Sequence, residues 1–293
     1  YSHNIAKIYI GGSMAKKSIW VTGASGRLGS ALVKMLKQDI ENKVVATDMD
    51  VDITNLKDVT QHAEVYRPNI VINCASLSNG EYCENNKVEA YKVNALGARN
   101  LAIASHHVNA KIIHLSTDDI FEGKTEGSMT EFDTPAPMTI YAKSKLAGEE
   151  YVRELNPKHL IVRSSWVYGI GHDDYFSFVA ENGKNGTTFD AYTNKISSPT
   201  SSEALAEFIV SMIEKSEYGI FHASSEGQCT RYEFAQAILA DMGYDVSLAK
   251  PVESEMAEST VLENLMMKMT EVYEMGSWEK DLAAYIRSIK EEN

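Results

Sequence analysis

A glycine-rich turn near the start of the chain reads Thr22-Gly23-Ala24-Ser25-Gly26-Arg27-Leu28-Gly29. It follows an apolar run at 18–22 and opens a segment, 26–37, whose apolar residues recur at helical spacing. Glycines allow a tight turn and a close approach of the backbone to a pyrophosphate, and the free N–H groups of a helix N-terminus attract an anion. The G-x-x-G-x-x-G spacing, placed between a strand and a helix, therefore predicts a dinucleotide-binding turn.

Short apolar runs alternate with helical patterns through the first half of the chain. Strands are predicted at 18–22, 43–48, 69–73, 111–116 and 159–163, and helices at 26–37, 54–67, 87–107 and 139–155. This alternation is typical of βαβ units with a parallel sheet, and right-handed crossovers make such a sheet doubly wound. The predicted fold class is therefore α/β, with a doubly wound parallel sheet of the Rossmann type.

The pattern changes after residue 165, where glycines and Pro199 interrupt it. Helices are predicted at 202–216, 231–242 and 278–290, and one late strand at 219–222 that can return to the first sheet. We expect a NAD(P)-binding Rossmann domain at 14–165 and a smaller C-terminal α/β substrate lobe at 166–293, partly interleaved with it. The segment 1–13 ends in Gly11-Gly12-Ser13 before Met14, which predicts a tag or linker.

Composition excludes several classes of partner. Lys and Arg total 28 against 41 Asp and Glu, a net charge of -13, which argues against nucleic acid and anionic membrane surfaces. No apolar run approaches the roughly 20 residues that span a bilayer. The three cysteines have no metal-finger spacing and His106-His107 point to different sides of a helix, so no metal site is predicted. A reducing cytoplasm is the expected location.

A second group of residues predicts proton transfer. Ser116-Thr117 ends the fourth predicted strand, and Tyr141 and Lys145 share one face of the following helix. A ketone that accepts hydride becomes an alkoxide and needs a proton, which a phenol can give if a nearby cation lowers its pKa. We expect Tyr141 to donate that proton, Lys145 to supply the charge and hold the nicotinamide ribose, and Thr117 to bind the reacting oxygen.

The choice between NAD and NADP stays open at this point. Asp48 ends the second predicted strand, where a carboxylate can accept hydrogen bonds from an adenosine ribose and favours NAD. Arg27 favours NADP, because a guanidinium can pair with the 2′-phosphate. Asp52 and Ile53 are expected to flank the adenine, and 73–76 is expected to pass close to the cofactor.

Seven segments together resemble the extended short-chain dehydrogenase/reductases, and among them the dTDP-4-dehydrorhamnose reductase family. The segments are 23–29, 67–75, 93–97, 114–123, 140–149, 162–169 and 198–200. The resemblance implies a nicotinamide-dependent reduction of a 4-keto-6-deoxy sugar on a nucleoside diphosphate. It also implies Thr117, Tyr141 and Lys145 as the catalytic set, and Trp166 in the sugar pocket.

The residues and the resemblance together give one list of candidate positions. Cofactor binding is assigned to Gly23, Ser25, Gly26, Arg27, Leu28, Gly29, Asp48, Asp52, Ile53, Cys74, Ala75, Ser76, Asn94, Tyr141 and Lys145. Substrate binding is assigned to Ser116, Asp119 and Trp166. The implied partner is a nucleotide sugar, with a homodimer as the candidate assembly.

Three positions depart from the family pattern at the substrate end. Asp119 stands where a Tyr is usual, Ala257-Glu258 where an Arg-Pro pair is usual, and Glu81-Tyr82 where an Asp-Lys pair is usual. Each change removes an expected sugar or phosphate contact or adds negative charge. Arg163 and Lys195 are candidates to compensate for that charge.

Two alternatives share the predicted fold. One is a nucleotide-sugar epimerase or dehydratase, which keeps its NAD bound and regenerates it. The other is a non-catalytic NADP-binding regulatory subunit that resembles the β subunit of methionine adenosyltransferase. The Thr117, Tyr141 and Lys145 set argues against a purely binding role.

Overall fold

The structure is a computed structural model, and it describes residues 17–123, 127–169 and 174–291. The predicted tag or linker at 1–13 lies outside the described residues. Within the described ranges, no helix is both long and apolar enough to span a membrane.

The strands and helices follow one another in the order expected for an α/β protein. The strands are β1 Lys17–Thr22, β2 Asn42–Thr47, β3 Ile70–Asn73, β4 Lys111–Thr117, β5 His159–Ser164, β6 Val167–Tyr168, β7 Phe189–Tyr192, β8 Lys195–Ser197, β9 Thr200–Ser201, β10 Gly219–His222, β11 Cys229–Thr230, β12 Ala249–Val252 and β13 Glu258–Ser259. The helices are α1 Arg27–Leu36, α2 Leu56–Tyr66, α3 Gly80–Asn85, α4 Lys87–Tyr91, α5 Ala98–His107, α6 Ile140–Leu155, α7 Tyr175–Asn185, α8 Ser202–Met212, α9 Arg231–Met242, α10 Leu265–Thr270 and α11 Trp278–Glu291. A π-helical segment, Lys92–Gly97, joins α4 to α5, and 3₁₀ turns lie at Asp118–Phe121 and Val246–Leu248.

The main sheet has six parallel strands in the order β10-β5-β4-β3-β1-β2. Side chains alternate across it, so Ile19 and Val21 pack with α1 and α8 on one face, while Trp20 packs with α2 and α5 on the other. Both faces are therefore covered and buried, as a parallel sheet requires. The predicted doubly wound α/β class is confirmed.

The late strand predicted at 219–222 is β10, and it extends this sheet beside β5. Helix α8 packs on α1, so residues beyond 165 contribute to the first layer. A second apolar core gathers α7, α9 and α11 with the short strands β7 and β12. The main sheet thus contains residues from both sides of position 165, and the division of the chain there stays a prediction.

Some elements were not foreseen. The helix predicted at 87–107 is not one regular α-helix, because Lys92–Gly97 is π-helical. The six-residue helices α3 and α10 and, apart from β10, the two- to four-residue strands of the second half were missed, because such short segments hold too few residues to show a period. Helix α7, which has 11 residues, was missed as well.

The glycine turn is fixed by steric limits. Gly23 has φ of +63°, and a Cβ there would lie 2.6 Å from the Ala75 nitrogen. A Cβ on Gly29 would lie 2.1 Å from the Gly23 carbonyl oxygen. Side chains at these positions would push the N-terminus of α1 away from the strand ends.

We expect Gly29→Ala to lower the free energy of unfolding by about 1–3 kcal/mol, since the added methyl overlaps fixed backbone. The matched control is Gly80→Ala, whose Cβ would meet no atom within 4 Å, and it should change stability by less than about 0.5 kcal/mol. Urea unfolding measures both. Equal stabilities of the two variants would contradict the steric account.

Candidate active site

Two adjoining cavities lie at the carboxyl ends of the main-sheet strands. The inner cavity, about 290 Å³, is lined by the start of α1, the end of β4 and two residues of α6, Tyr141 and Lys145. The outer cavity, about 340 Å³, is lined by the glycine turn, the end of β2 and the turn after β3. Gly26, Cys74 and Ser76 line both, so the two cavities form one elongated cleft.

The cleft gathers most of the predicted cofactor residues. The outer cavity takes Gly23, Ser25, Gly26, Asp48, Asp52, Ile53, Cys74, Ala75 and Ser76, and the inner cavity takes Arg27, Leu28, Gly29, Ser116, Tyr141 and Lys145. The sequence did not single out Met49, Val51, Leu77 and Val93, which add apolar walls to the outer cavity. Met49 directly follows Asp48 and Leu77 directly follows Ser76, and this was the sequence signal that could have identified these two.

The residues present fit a dinucleotide. Gly26 caps α1 without any side-chain hydrogen bond, so the N–H groups of its first turn remain available at the cleft. The Ser116 hydroxyl is buried and has no hydrogen-bond partner among the described residues. Close backbone at Gly23 and Gly29 and free donors at a helix N-terminus are the features that a pyrophosphate needs.

Asp48 and Arg27 lie in different parts of the cleft. The Asp48 carboxylate accepts hydrogen bonds from the Ser25 backbone nitrogen, at 2.9 Å, and from the Ser25 hydroxyl. Arg27 instead lines the inner cavity, where its Nη1 lies 3.6 Å from Asp174 Oδ2. The pairing of Arg27 with a 2′-phosphate therefore stays a prediction, and the structure places this residue in the inner cavity and not beside Asp48.

Asn94 lies behind the cleft wall. It is buried in the π-helical segment, where its amide oxygen accepts from the Leu77 nitrogen at 2.9 Å and the Ser76 hydroxyl at 3.1 Å. Its amide nitrogen donates to the Leu77 carbonyl and to the Ser144 hydroxyl. Asn94 thus ties the turn after β3 to α6 and positions residues that line the cleft.

Helix α6 brings the proton-transfer residues to the end of β4. Burial and the Asp119 carboxylate raise the pKa of Tyr141, while the neighbouring Thr117 hydroxyl and the Arg27 guanidinium act in the opposite direction. Lys145 Nζ donates to the Leu115 carbonyl oxygen at 2.6 Å, and burial lowers the pKa of Lys145 to about 8. The Arg27 guanidinium is thus a second cation on which the phenolate can rely, beside the predicted Lys145.

Acidic groups lie on the far side of Thr117. The Asp118 carboxylate accepts from the Ser197 hydroxyl at 3.0 Å and from the Thr260 hydroxyl. Burial, together with Asp118 and other nearby carboxylates, raises the pKa of Asp119 well above its ordinary value. Asp119 therefore faces Tyr141 as a carboxyl group that holds its proton more strongly than an exposed one.

The structure places the two candidate compensating cations in different surroundings. Lys195 forms an ion pair with Glu258, so the negative charge at this position, which departs from the family pattern, is balanced. Arg163 does not reach the cleft: it is buried in β5, and its Nη2 lies 2.7 Å from Glu149 Oε2. Its assignment as a compensating cation was wrong, because the strand alternation turns its side chain under α6.

Trp166 lines neither cavity, but it precedes Val167 of the inner cavity and lies beside a residue that the sequence did not reveal. Its backbone has φ of +41°, and its ring packs against the guanidinium of Arg231. Thr230 and Glu233 form the predicted capping box at the start of α9. The sequence of this segment was interpreted only as a helix start, so Arg231 was not considered as a site residue.

Comparison with known proteins assigns the chain to a family. A model of the RmlD substrate binding domain matches residues 17–291. A dTDP-4-dehydrorhamnose reductase of Aggregatibacter actinomycetemcomitans is 33% identical over 239 residues, which cover 79% of this chain and 80% of the relative. Solved dTDP-4-dehydrorhamnose reductases are equally similar. The one from Clostridium acetobutylicum is 36% identical with a TM-score of 0.89, and the one from Bacillus anthracis, in complex with NADP, is 34% identical with a TM-score of 0.90; each comparison covers 93% of this chain and 99% of the other.

The doubly wound sheet and its cleft are thus those of an extended short-chain dehydrogenase/reductase, an oxidoreductase with a nicotinamide dinucleotide cofactor. Within that class, the chain belongs to the dTDP-4-dehydrorhamnose reductase family. This assignment favours the reductase over the epimerase, dehydratase and regulatory alternatives.

The position of Asp48 generates a test of cofactor choice. Asp48→Ala removes a carboxylate from the outer cavity, so we expect the ratio of NADPH affinity to NADH affinity to rise roughly five- to tenfold, as one charge at about 4 Å in a solvated site is worth about 1 kcal/mol. Fluorescence titration of both cofactors measures the ratio. Asp58→Ala removes an exposed charge on α2 and serves as the control. An unchanged ratio in the Asp48 variant would place the adenosine ribose elsewhere.

Proposed function

We propose that this protein reduces the 4-keto group of a nucleotide-linked 4-keto-6-deoxy sugar, with NADPH or NADH as the reductant. One observation carries the proposal: Thr117, Tyr141 and Lys145 meet where the end of β4 faces the inner cavity. The names of the relatives at 33–36% identity support dTDP-4-dehydrorhamnose as the sugar nucleotide.

The side chains divide the work of the reduction. When bound, the reduced nicotinamide supplies a hydride to the carbonyl carbon. Thr117 hydrogen-bonds the carbonyl oxygen, and Tyr141 gives its phenolic proton to that oxygen as negative charge develops, so that the product is an alcohol. Because the pKa of Tyr141 is raised, the phenol keeps this proton at neutral pH until the oxygen needs it.

Lys145 acts from behind the tyrosine. Its hydrogen bond to Leu115 fixes the ammonium between α6 and β4, and Glu149 favours its charged form against the effect of burial. This arrangement supports a role in which Lys145 holds the cofactor ribose and stabilises the phenolate after proton transfer.

The proposal also covers the substrate lobe, the cellular location and the oligomeric state of the protein. Residues 166–293 act as the substrate lobe, since Val167 and Leu205 line the inner cavity from that part of the chain. The net charge of -13 supports a small molecule and not nucleic acid as the partner, and the low cysteine content supports a location in the cytoplasm. A homodimer is the proposed assembly, and sedimentation velocity tests it.

Replacement of the proton donor tests the assignment. With dTDP-4-keto-6-deoxy sugar and NADPH, Tyr141→Phe should lower kcat roughly 10²–10⁴-fold while the affinity for NADPH changes little. Tyr151→Phe, on the same helix, is the control and should match the wild type. Wild-type turnover in the Tyr141 variant would remove Tyr141 from the chemistry. Absence of turnover by the wild type with 4-keto sugars would overturn the proposed function.

The pKa of Lys145 gives a pH dependence. The ammonium is present below pH 8 and is lost as the pH rises through its pKa of about 8. We expect kcat/KM, which reports groups of the free enzyme, to fall on the alkaline side of a midpoint near pH 8. Lys145→Arg keeps its charge throughout this range, so its residual activity should lack that limb. The same alkaline limb in both proteins would assign it to another group.

A further inference from the structure

Arg231, the first residue of α9, lies between two aromatic rings. Its Cζ is 3.5 Å from the centroid of the Trp166 ring and 4.6 Å from the centroid of the Tyr175 ring. The Tyr175 hydroxyl donates to the Arg231 carbonyl oxygen at 3.0 Å, which joins α7 to the start of α9. The guanidinium plane is therefore held in place by its faces.

The edges of the same guanidinium contact no polar partner among the described residues. In the part of the chain that the structure describes, the Arg231 side chain makes no hydrogen bond and has no carboxylate within ion-pair distance. It lines a cavity of about 490 Å³ with Tyr175, Tyr192, Asp174 and Glu181. An Arg has five N–H donors in a planar fork that matches the oxygens of a phosphate.

Three of the nearby carboxylates have other partners. Asp118 is held by the Ser197 and Thr260 hydroxyls, and Glu258 by Lys195. Asp174 pairs with Arg27 and accepts from the Gly169 nitrogen. Among the described residues the fork therefore keeps its donors for a ligand in this cavity, although Glu181 at the cavity wall opposes an anion.

The cavity of Arg231 adjoins the inner cavity that holds Tyr141, because Asp174 lines the first and pairs with Arg27, which lines the second. Burial lowers the pKa of Arg231 and raises the pKa of Tyr141, and the carboxylates of Asp118 and Asp119 act on both groups in the upward direction, so the same acidic pair lies near both side chains. Arg231 lines neither the inner nor the outer cavity, which excludes the pyrophosphate of the dinucleotide as its natural ligand. A ligand whose carbonyl lies at Tyr141 would extend its other end towards Arg231.

We propose that Arg231 binds a phosphate oxygen of the nucleoside diphosphate of the substrate, and that Trp166 and Tyr175 hold its fork in the binding orientation. This inference rests on the proposed function, because it takes a diphosphate-linked sugar as the substrate. The backbone of Trp166 at φ of +41° fits such a role, since an uncommon conformation of a bulky residue concentrates at functional sites.

The test compares thymidine, dTMP and dTDP as ligands of the protein saturated with NADP. By isothermal titration, Arg231→Gln should weaken dTDP binding about 10- to 100-fold, the usual loss for a hydrogen bond to a charged group. It should leave thymidine binding within about twofold. Arg231→Lys should lie between the two, because it keeps the charge and loses the fork. Arg287→Gln, an exposed arginine of α11, is the control and should bind all three like the wild type.

Each outcome supports or overturns the role of Arg231 in phosphate binding. An equal loss of thymidine and dTDP affinity would mean that Arg231 only supports the packing of Trp166 and Tyr175. Unchanged dTDP affinity, or a wild type that binds dTDP no better than thymidine, would also overturn the inference. Turnover separates it from the proposed function: Arg231→Gln should raise KM at least tenfold with kcat within about threefold. A wild type that binds dTDP through Arg231 without reducing a 4-keto sugar would contradict the function alone.

Discussion

The turn between β1 and α1 runs so close to its neighbours that two of its positions cannot carry a side chain. Gly23 abuts the backbone of Ala75, and Gly29 abuts the carbonyl of Gly23. These contacts hold the N-terminus of α1 against the strand ends, and Ser25 then ties the turn to Asp48 at the end of β2. The cleft, its free N–H donors and its carboxylate all follow from this one steric limit.

The chemistry depends on how α6 meets β4. Lys145 hydrogen-bonds the backbone of Leu115, which places Tyr141 beside Thr117 at the mouth of the inner cavity. Burial alone would weaken a proton donor that must later carry negative charge, because a phenolate is costly in an apolar site. Arg27 offsets part of that cost from the opposite wall. The glycine turn and the catalytic helix are therefore electrostatically linked, since Arg27 belongs to the first and acts on the second.

Much of this could be predicted from the sequence, for physical reasons. Long periodic segments such as α6 and α9, and buried runs such as β4, carry enough residues for their period to be read, and the late strand β10 was placed correctly. The contact between Arg231 and Trp166 could not be read, because it joins residues distant in sequence. The direction of Arg27 was also beyond the pattern, since spacing gives its place on a helix but not its partner, Asp174.

We infer that a reduced nicotinamide bound in the cleft supplies hydride to a sugar carbonyl and that the protein supplies the proton. The most direct measurement uses NADPH carrying deuterium at the transferred position, with dTDP-4-keto-6-deoxy sugar, and locates the label in the product by NMR. The account predicts one deuterium on sugar carbon 4 and one equivalent of NADPH oxidised for each sugar. Label that stays on the cofactor, or a sugar that changes configuration without net oxidation of NADPH, would contradict it.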